Sequence, residues 1–141
     1  MDDIKDVAQL SDGLLYEYAV IRYVPSVERE EFINVGLLMV SKRNRWLRGR
    51  VHVDEQRLRA FSVAADVEAL RRQLKLFECR DVPFRDIPVE EAYRWLAAVK
   101  SAVIQTSASH PGVLCHNAAA GDERRRLLDA EFDRLFHLLV K

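Results

Sequence analysis

The sequence predicts a single α+β domain: an antiparallel β-sheet of about four strands with helices packed on one face. Three observations carry this. Apolar residues alternate with period 2 from Leu15 to Val53. The period changes to 3.6 near Asp54. Two short polar connections, after Val24 and after Val40, join the first three β-like runs as hairpins. The length of 141 residues suits one domain with one real core. Residues 1–12 are polar and read as a flexible N-terminus, leaving 13–141 as the domain.

The first strand is LYEYAVIRYV, from Leu15 to Val24, rich in aromatic and β-branched residues. Pro25 and Ser26 end it. Phe32 to Val40 is the second strand, apolar on both faces except for Asn34 and Gly36, which share a parity with Phe32, Leu38 and Val40. SKRNR, Ser41 to Arg45, connects it to a third strand, Trp46 to Val53. There Leu47, Gly49, Val51 and Val53 share one side, and Trp46, Arg48, Arg50 and His52 share the other, as expected of a sheet with one wet face.

Asp54 is placed to cap a short helix, EQRLRAFS, and Asp66 a longer one carrying Val67, Leu70, Leu74 and Phe77 at helical spacing. Pro88 suits the first turn of a helix running to about Val99, with Tyr93, Leu96 and Ala97 inside. AVIQT, Ala102 to Thr106, reads as a fourth strand. Ser107 to Arg125 reads as a long Ser/Gly/Ala/Asn-rich loop, the kind that is either functional or disordered. Leu128, Phe132, Leu135 and Leu139 then mark an amphipathic C-terminal helix that docks on the sheet.

Composition bounds the function. Lys plus Arg equals Asp plus Glu, 22 of each, which argues against a wholly basic nucleic-acid binder while leaving room for a local patch. The two cysteines, Cys79 and Cys115, form no CxxC pair, and no His or Cys spacing suits a metal, so neither a metal nor a cofactor is expected. The acidic start, MDDIKDVAQL, reads as neither signal nor transit peptide, and no segment is apolar enough to span a bilayer. The expected setting is a bacterial-type cytoplasm, away from membranes. No GxGxxG, Walker, HExxH or GxSxG pattern occurs, so no reaction is assigned.

Two polar constellations stand out. Arg22, Arg29, Glu31, Asn34, Gln105 and His110 come together as a candidate pocket if the fourth strand joins the sheet parallel to the first. The alternative is an internal ion pair, Arg22 or Arg29 with Glu31, that fastens a turn. Gly36 has two readings as well: close approach to a ligand, or a plain structural gap filled by an aromatic such as Tyr18 or Trp95, or a bulge. The second constellation is basic: Lys42, Arg43, Arg45, Arg48 and Arg50 around Trp46, a knob with an aromatic platform able to hold phosphate and stack a base. It equally reads as a solvated hairpin tip.

The runs YEYAVIRYVPSVEREEFINVG, SAVIQTSASHPG and DAEFDRLFHLLV resemble a bacterial family, domain of unknown function 3037, across about residues 15 to 140. That family carries an Arg-x-x-Pro strand end followed by an Arg-Glu-Phe-x-Asn-x-Gly strand. Arg22, Pro25, Arg29, Glu31, Phe32, Asn34 and Gly36 stand at the matching places here, with the carboxylate doubled at Glu30-Glu31; Gln105 and His110 beside Gly112 match further on. The connection from Asn117 to Arg126 departs from the family's shorter one. The resemblance implies no settled activity. It implies a partner role, since members are found beside HipA-like kinases. Three functions are therefore carried forward: a protein-interaction module, a nucleic-acid binder or nuclease using Arg22, Glu31, Gln105 and His110 as an acid–base set, and a small-ligand domain around Arg22 and Asn34.

Overall fold

The computed structural model describes residues 14–26, 28–81, 87–98, 101–114 and 121–141. The elements are β1 (Leu14–Ser26), β2 (Glu31–Ser41), β3 (Trp46–Val51), α1 (Glu55–Phe61), α2 (Val67–Leu74) with a 3-10 turn at Lys75–Phe77, β4 (Cys79–Arg80), α3 (Val89–Ala97), β5 (Ile104–Thr106), β6 (His110–Leu114) and α4 (Gly121–Leu139). They form one α+β domain around an antiparallel sheet of order β4-β3-β2-β1-β5, with β6 also on β1. The expected flexible N-terminus, 1–12, lies outside the described residues, as do Val99, Cys115 and His116.

The local signals of the sequence act as read. Asp54 accepts from the Arg57 N–H and Asp66 from the Ala69 N–H, so each carboxylate takes up a helix donor that would otherwise lack a partner. Helix α3 begins after Pro88 and buries Val89, Ala92, Tyr93 and Leu96. The β2–β3 hairpin closes with Ser41 opposite Trp46, and Arg45 takes a left-handed φ of 48° within the turn.

Helix placement differs from expectation. Helices cover both faces of the sheet, not one. Helices α1, α2 and α3 close one core over Ala19, Ile21, Leu38, Val40 and Leu47. Helix α4 closes a second core over Leu14, Tyr16, Val20, Leu37, Met39 and Trp46, using Leu128, Phe132, Leu135 and Phe136. The wet face expected of β3 is therefore covered by α4. Trp46 is only 1% exposed, and Arg48 lies among the helix's side chains.

Among the described residues, six strands stand where about four were expected. Half of the predicted 107–125 loop is ordered structure: His110–Leu114 is β6, and α4 begins at Gly121. β5 and β6 are one interrupted edge strand, both antiparallel to β1, one pairing with residues 21–23 and the other with 14–18. Ser107 bridges the break. Its N–H donates to the Val20 carbonyl at 2.8 Å while its Oγ accepts from the Val20 N–H at 2.9 Å.

Strand β2 contains the bulge that explains Gly36. Ile21 pairs with Gly36 and Arg22 with Asn34, so Val35 is an extra residue. The bulge breaks the single parity read from the sequence. Val35 and Gly36 both belong to the α1–α3 side, whereas Asn34 turns to the α4 side. The space at Gly36 is taken by Ile21 and Val51. Neither Tyr18 nor Trp95 fills it, and Trp95 is 48% exposed.

Candidate functional site

Cross-strand partners share a face of a sheet, so the register places Arg22, Asn34 and Gln105 side by side in one row on the α4 side. The fourth strand reaches this row running antiparallel to β1, not parallel as the convergence had required. The Arg22 guanidinium lies over the Phe32 ring, 4.2 Å from its centroid. Asn34 donates its amide to the Leu139 carbonyl at 2.9 Å, and Gln105 donates to the Ala102 carbonyl at 2.9 Å. His110 shares the face but not the row. It lies opposite Tyr18, ring centroids 5.2 Å apart, four residues along β1 from Arg22, or about 13 Å at the rise of a strand. Arg29 and Glu31 pair with each other at 3.1 Å, both well exposed, in the manner of a turn fastener.

Of the six predicted pocket residues, three are thus neighbours, two form a local ion pair, and one stands apart. The row sits at the C-terminal end of α4, whose carbonyls favour donors and cations. Asn34 supplies one such donor, while its Oδ1 and the Arg22 Nε beside it are buried without a hydrogen-bond partner among the described residues.

The basic constellation separates. Trp46 is no stacking platform: its ring packs edge-on against Phe132 at 6.2 Å, and its indole N–H donates to Asp129 Oδ1 at 3.1 Å. The physical reason is α4, which covers the side of β3 on which Trp46, Arg48 and Arg50 lie. Arg48 pairs with Asp133 at 3.2 Å and Asp129 at 3.6 Å, and Arg50 lies over Phe136 at 4.6 Å. Lys42, Arg43 and Arg45 remain at the hairpin turn, where Arg125 of α4 donates to the Asn44 and Arg45 carbonyls.

On the other side of the sheet lies a cleft of about 530 Å³ that the sequence did not disclose. Its origin is an overhang. The α1–α3 core covers Ala19 and Ile21, but β1 continues to Glu17 and Leu15, and β6 and the end of β2 continue with it. Leu15, Val40 and Pro111 line the floor; Tyr93 of α3 forms the wall. Leu15 and its cross-strand partner Val113 are 38% and 37% exposed. The Tyr93 hydroxyl shares a 2.7 Å hydrogen bond with Ser109 Oγ. Burial pushes the Tyr93 phenol up to about 12, against the pull of that hydrogen bond, so it stays protonated at neutral pH. Lys42, Arg43 and Arg94 stand on the cleft with Glu17 and Glu90.

Among the described residues, no three His, Cys, Asp or Glu side chains come close enough to hold a metal ion. The half-buried Cys79 thiol is pushed up to about 11, chiefly by burial, which disfavours the thiolate. No helix among the described residues is long and apolar enough to cross a membrane.

A family model described as "Protein of unknown function (DUF3037)" matches residues 18–140. No curated protein and no solved structure matches the chain.

Proposed function

The chain belongs to that family, and from this premise we propose that it is a protein-interaction module of the bacterial cytoplasm, with the cleft beside α3 as its docking surface. The observation that supports the reading is the overhang. Apolar side chains of Leu15, Val40 and Pro111 meet the Tyr93 wall in a concave, partly open surface. Such a surface suits an apolar anchor side chain from a partner. The HipA-like kinases implied by the family resemblance are the first partners to test.

A small-molecule ligand in the same cleft is the second reading. Its volume falls within the roughly 300–1,000 Å³ of small-ligand sites, and its lining is mainly apolar with a few polar groups. Nucleic-acid binding is less well supported, because Trp46 is buried and Arg48 is engaged by Asp129 and Asp133.

Co-expression with a tagged HipA-like kinase from the same genome tests the first reading. The wild-type chain is expected to co-purify with the kinase, and Leu15→Asp and Val113→Asp to be lost from the complex with unchanged thermal melts. Retention of both variants would remove the cleft from the docking surface. A thermal-shift rise with a metabolite pool and no kinase retention would favour the second reading.

A further inference from the structure

We infer, resting on that docking reading, that the partner segment is acidic: an apolar side chain enters the cleft, and carboxylates beside it meet the β2–β3 turn. The argument is the distribution of charge around the cleft. The turn and β3 carry Lys42, Arg43, Arg45, Arg48 and Arg50 with no acidic residue from Ser41 to Val53. Arg48 and Arg50 leave this group for the α4 side, where Arg48 meets Asp129 and Asp133. Lys42, Arg43 and Arg45 stay at the turn, all three exposed.

Ion pairs are frequent elsewhere in the molecule. Arg29, Arg48, Arg59, Arg71, Arg80, Arg125 and Arg134 each have a carboxylate partner. Lys42, Arg45 and Arg94 have none among the described residues. The carboxylates of the cleft do not neutralise them. Glu90 lies one helical turn before Arg94 without reaching it within ion-pair distance, and its place in the first turn of α3 sets it against the positive end of the helix dipole. Glu17 lies on β1 in register with Val40, beside the start of the turn, yet makes no ion pair with Lys42 or Arg45 among the described residues, and its charge acts on Tyr93. Around the cleft and the turn beside it, Lys42, Arg43, Arg45 and Arg94 therefore outnumber Glu17 and Glu90. An apolar anchor on the floor next to Leu15 brings its flanking residues against the turn. Carboxylates there gain an interaction, while lysines or arginines meet like charge.

The probes are two fluorescein-labelled hexapeptides with the same Leu-Leu centre, one flanked by Asp and Glu and the other by Lys, read by fluorescence anisotropy. The acidic peptide is expected to bind about tenfold or more tighter at low salt, and to weaken as salt screens the turn. The double variant Lys42→Glu/Arg45→Glu is expected to reverse the preference. Arg57→Glu on α1, a control for general charge, leaves it unchanged. Equal binding of the two peptides, binding of neither, or loss of preference in Arg57→Glu alone overturns the inference. Binding of octanoate with neither peptide bound overturns it in favour of a small-molecule pocket. The kinase assay separates the two claims. If Leu15→Asp abolishes retention and Lys42→Glu/Arg45→Glu does not, docking stands and the acidic segment falls; if Leu15→Asp and Val113→Asp are both retained, the docking surface itself falls.

Discussion

Asn34 and Leu139 lie 105 positions apart in sequence, and the Asn34 amide donates to the Leu139 carbonyl at 2.9 Å. The amide that interrupts an apolar strand is a clasp on the last turn of α4, where a carbonyl has no partner within its own helix. Asn34→Ala should cost about 1 kcal/mol by loss of this hydrogen bond. Asn34→Asp should cost more, because it removes the donor and sets a negative charge against the negative end of the helix. Urea denaturation of the two variants gives the order; Asp equal to or milder than Ala would contradict it.

Gly36→Val should destabilise the domain by about 1–3 kcal/mol through overpacking. A Cβ at Gly36 comes 2.8 Å from Ile21 Cδ1, 2.9 Å from the Arg50 carbonyl and 3.0 Å from Val51 Cγ1. Gly49→Ala should be worse despite adding less, because its Cβ runs into the Phe77 carbonyl oxygen, a backbone atom that cannot rotate away. Denaturant midpoints decide, and an unshifted midpoint in Gly36→Val would mean that the bulge yields freely.

Asp129 joins α4 to the sheet by three contacts: Trp46 Nε1 at 3.1 Å, Arg48 at 3.6 Å and Arg80 at 2.7 Å. Asp129→Ala leaves a buried indole N–H without its acceptor and should cost about 1–3 kcal/mol. Asp129→Asn keeps an acceptor for Trp46 and should cost less, since the partly exposed ion pairs contribute only about 0–1 kcal/mol each. Equal losses in the two variants would show that the charge, not the indole bond, matters.

Acid stability should depend on Glu131. The hydrogen bonds from Arg134, at 2.6 and 3.0 Å, and then the Tyr16 hydroxyl at 2.6 Å, hold its carboxyl below the ordinary value of 4.5, against the opposing effect of burial. A carboxylate with a depressed folded-state pKa contributes stability that is present above its unfolded value and lost as pH falls through its folded one. Wild type should therefore lose stability progressively below about pH 4.5, and Glu131→Gln should lose less across that window while being weaker at neutral pH. Parallel pH profiles for the two would contradict the assignment.

Much of this architecture was legible locally. Asp54 and Asp66 announce helix starts because a side-chain cap is a contact within four residues. The alternation of β1 announces a strand because its period is a property of the strand alone. What was hidden depends on distant partners. The apolar stripe of α4 shows that the helix docks but not on which face, so β3 reads as half wet. β6 reads as loop because Pro111 and Gly112 suit an edge strand whose only described strand partner, β1, lies some hundred residues earlier. The Val35 bulge shifts the phase of β2, so a single parity assigns Asn34 and Gly36 to the same side when they lie on opposite ones. The cleft exists because α3 stops short of the end of β1, a relation that no stretch of sequence spells out.

The two tryptophans divide the molecule into two optical reporters. Trp46 is enclosed between β3 and α4, with its indole held by Asp129 and its ring against Phe132. Trp95 stands on the outer side of α3, about half open to solvent. Their emission therefore separates by colour, blue for the enclosed ring and red for the open one. Detachment of α4 shifts the first without the second, so with Trp95 replaced by Phe a single fluorescence trace follows the α4 layer alone.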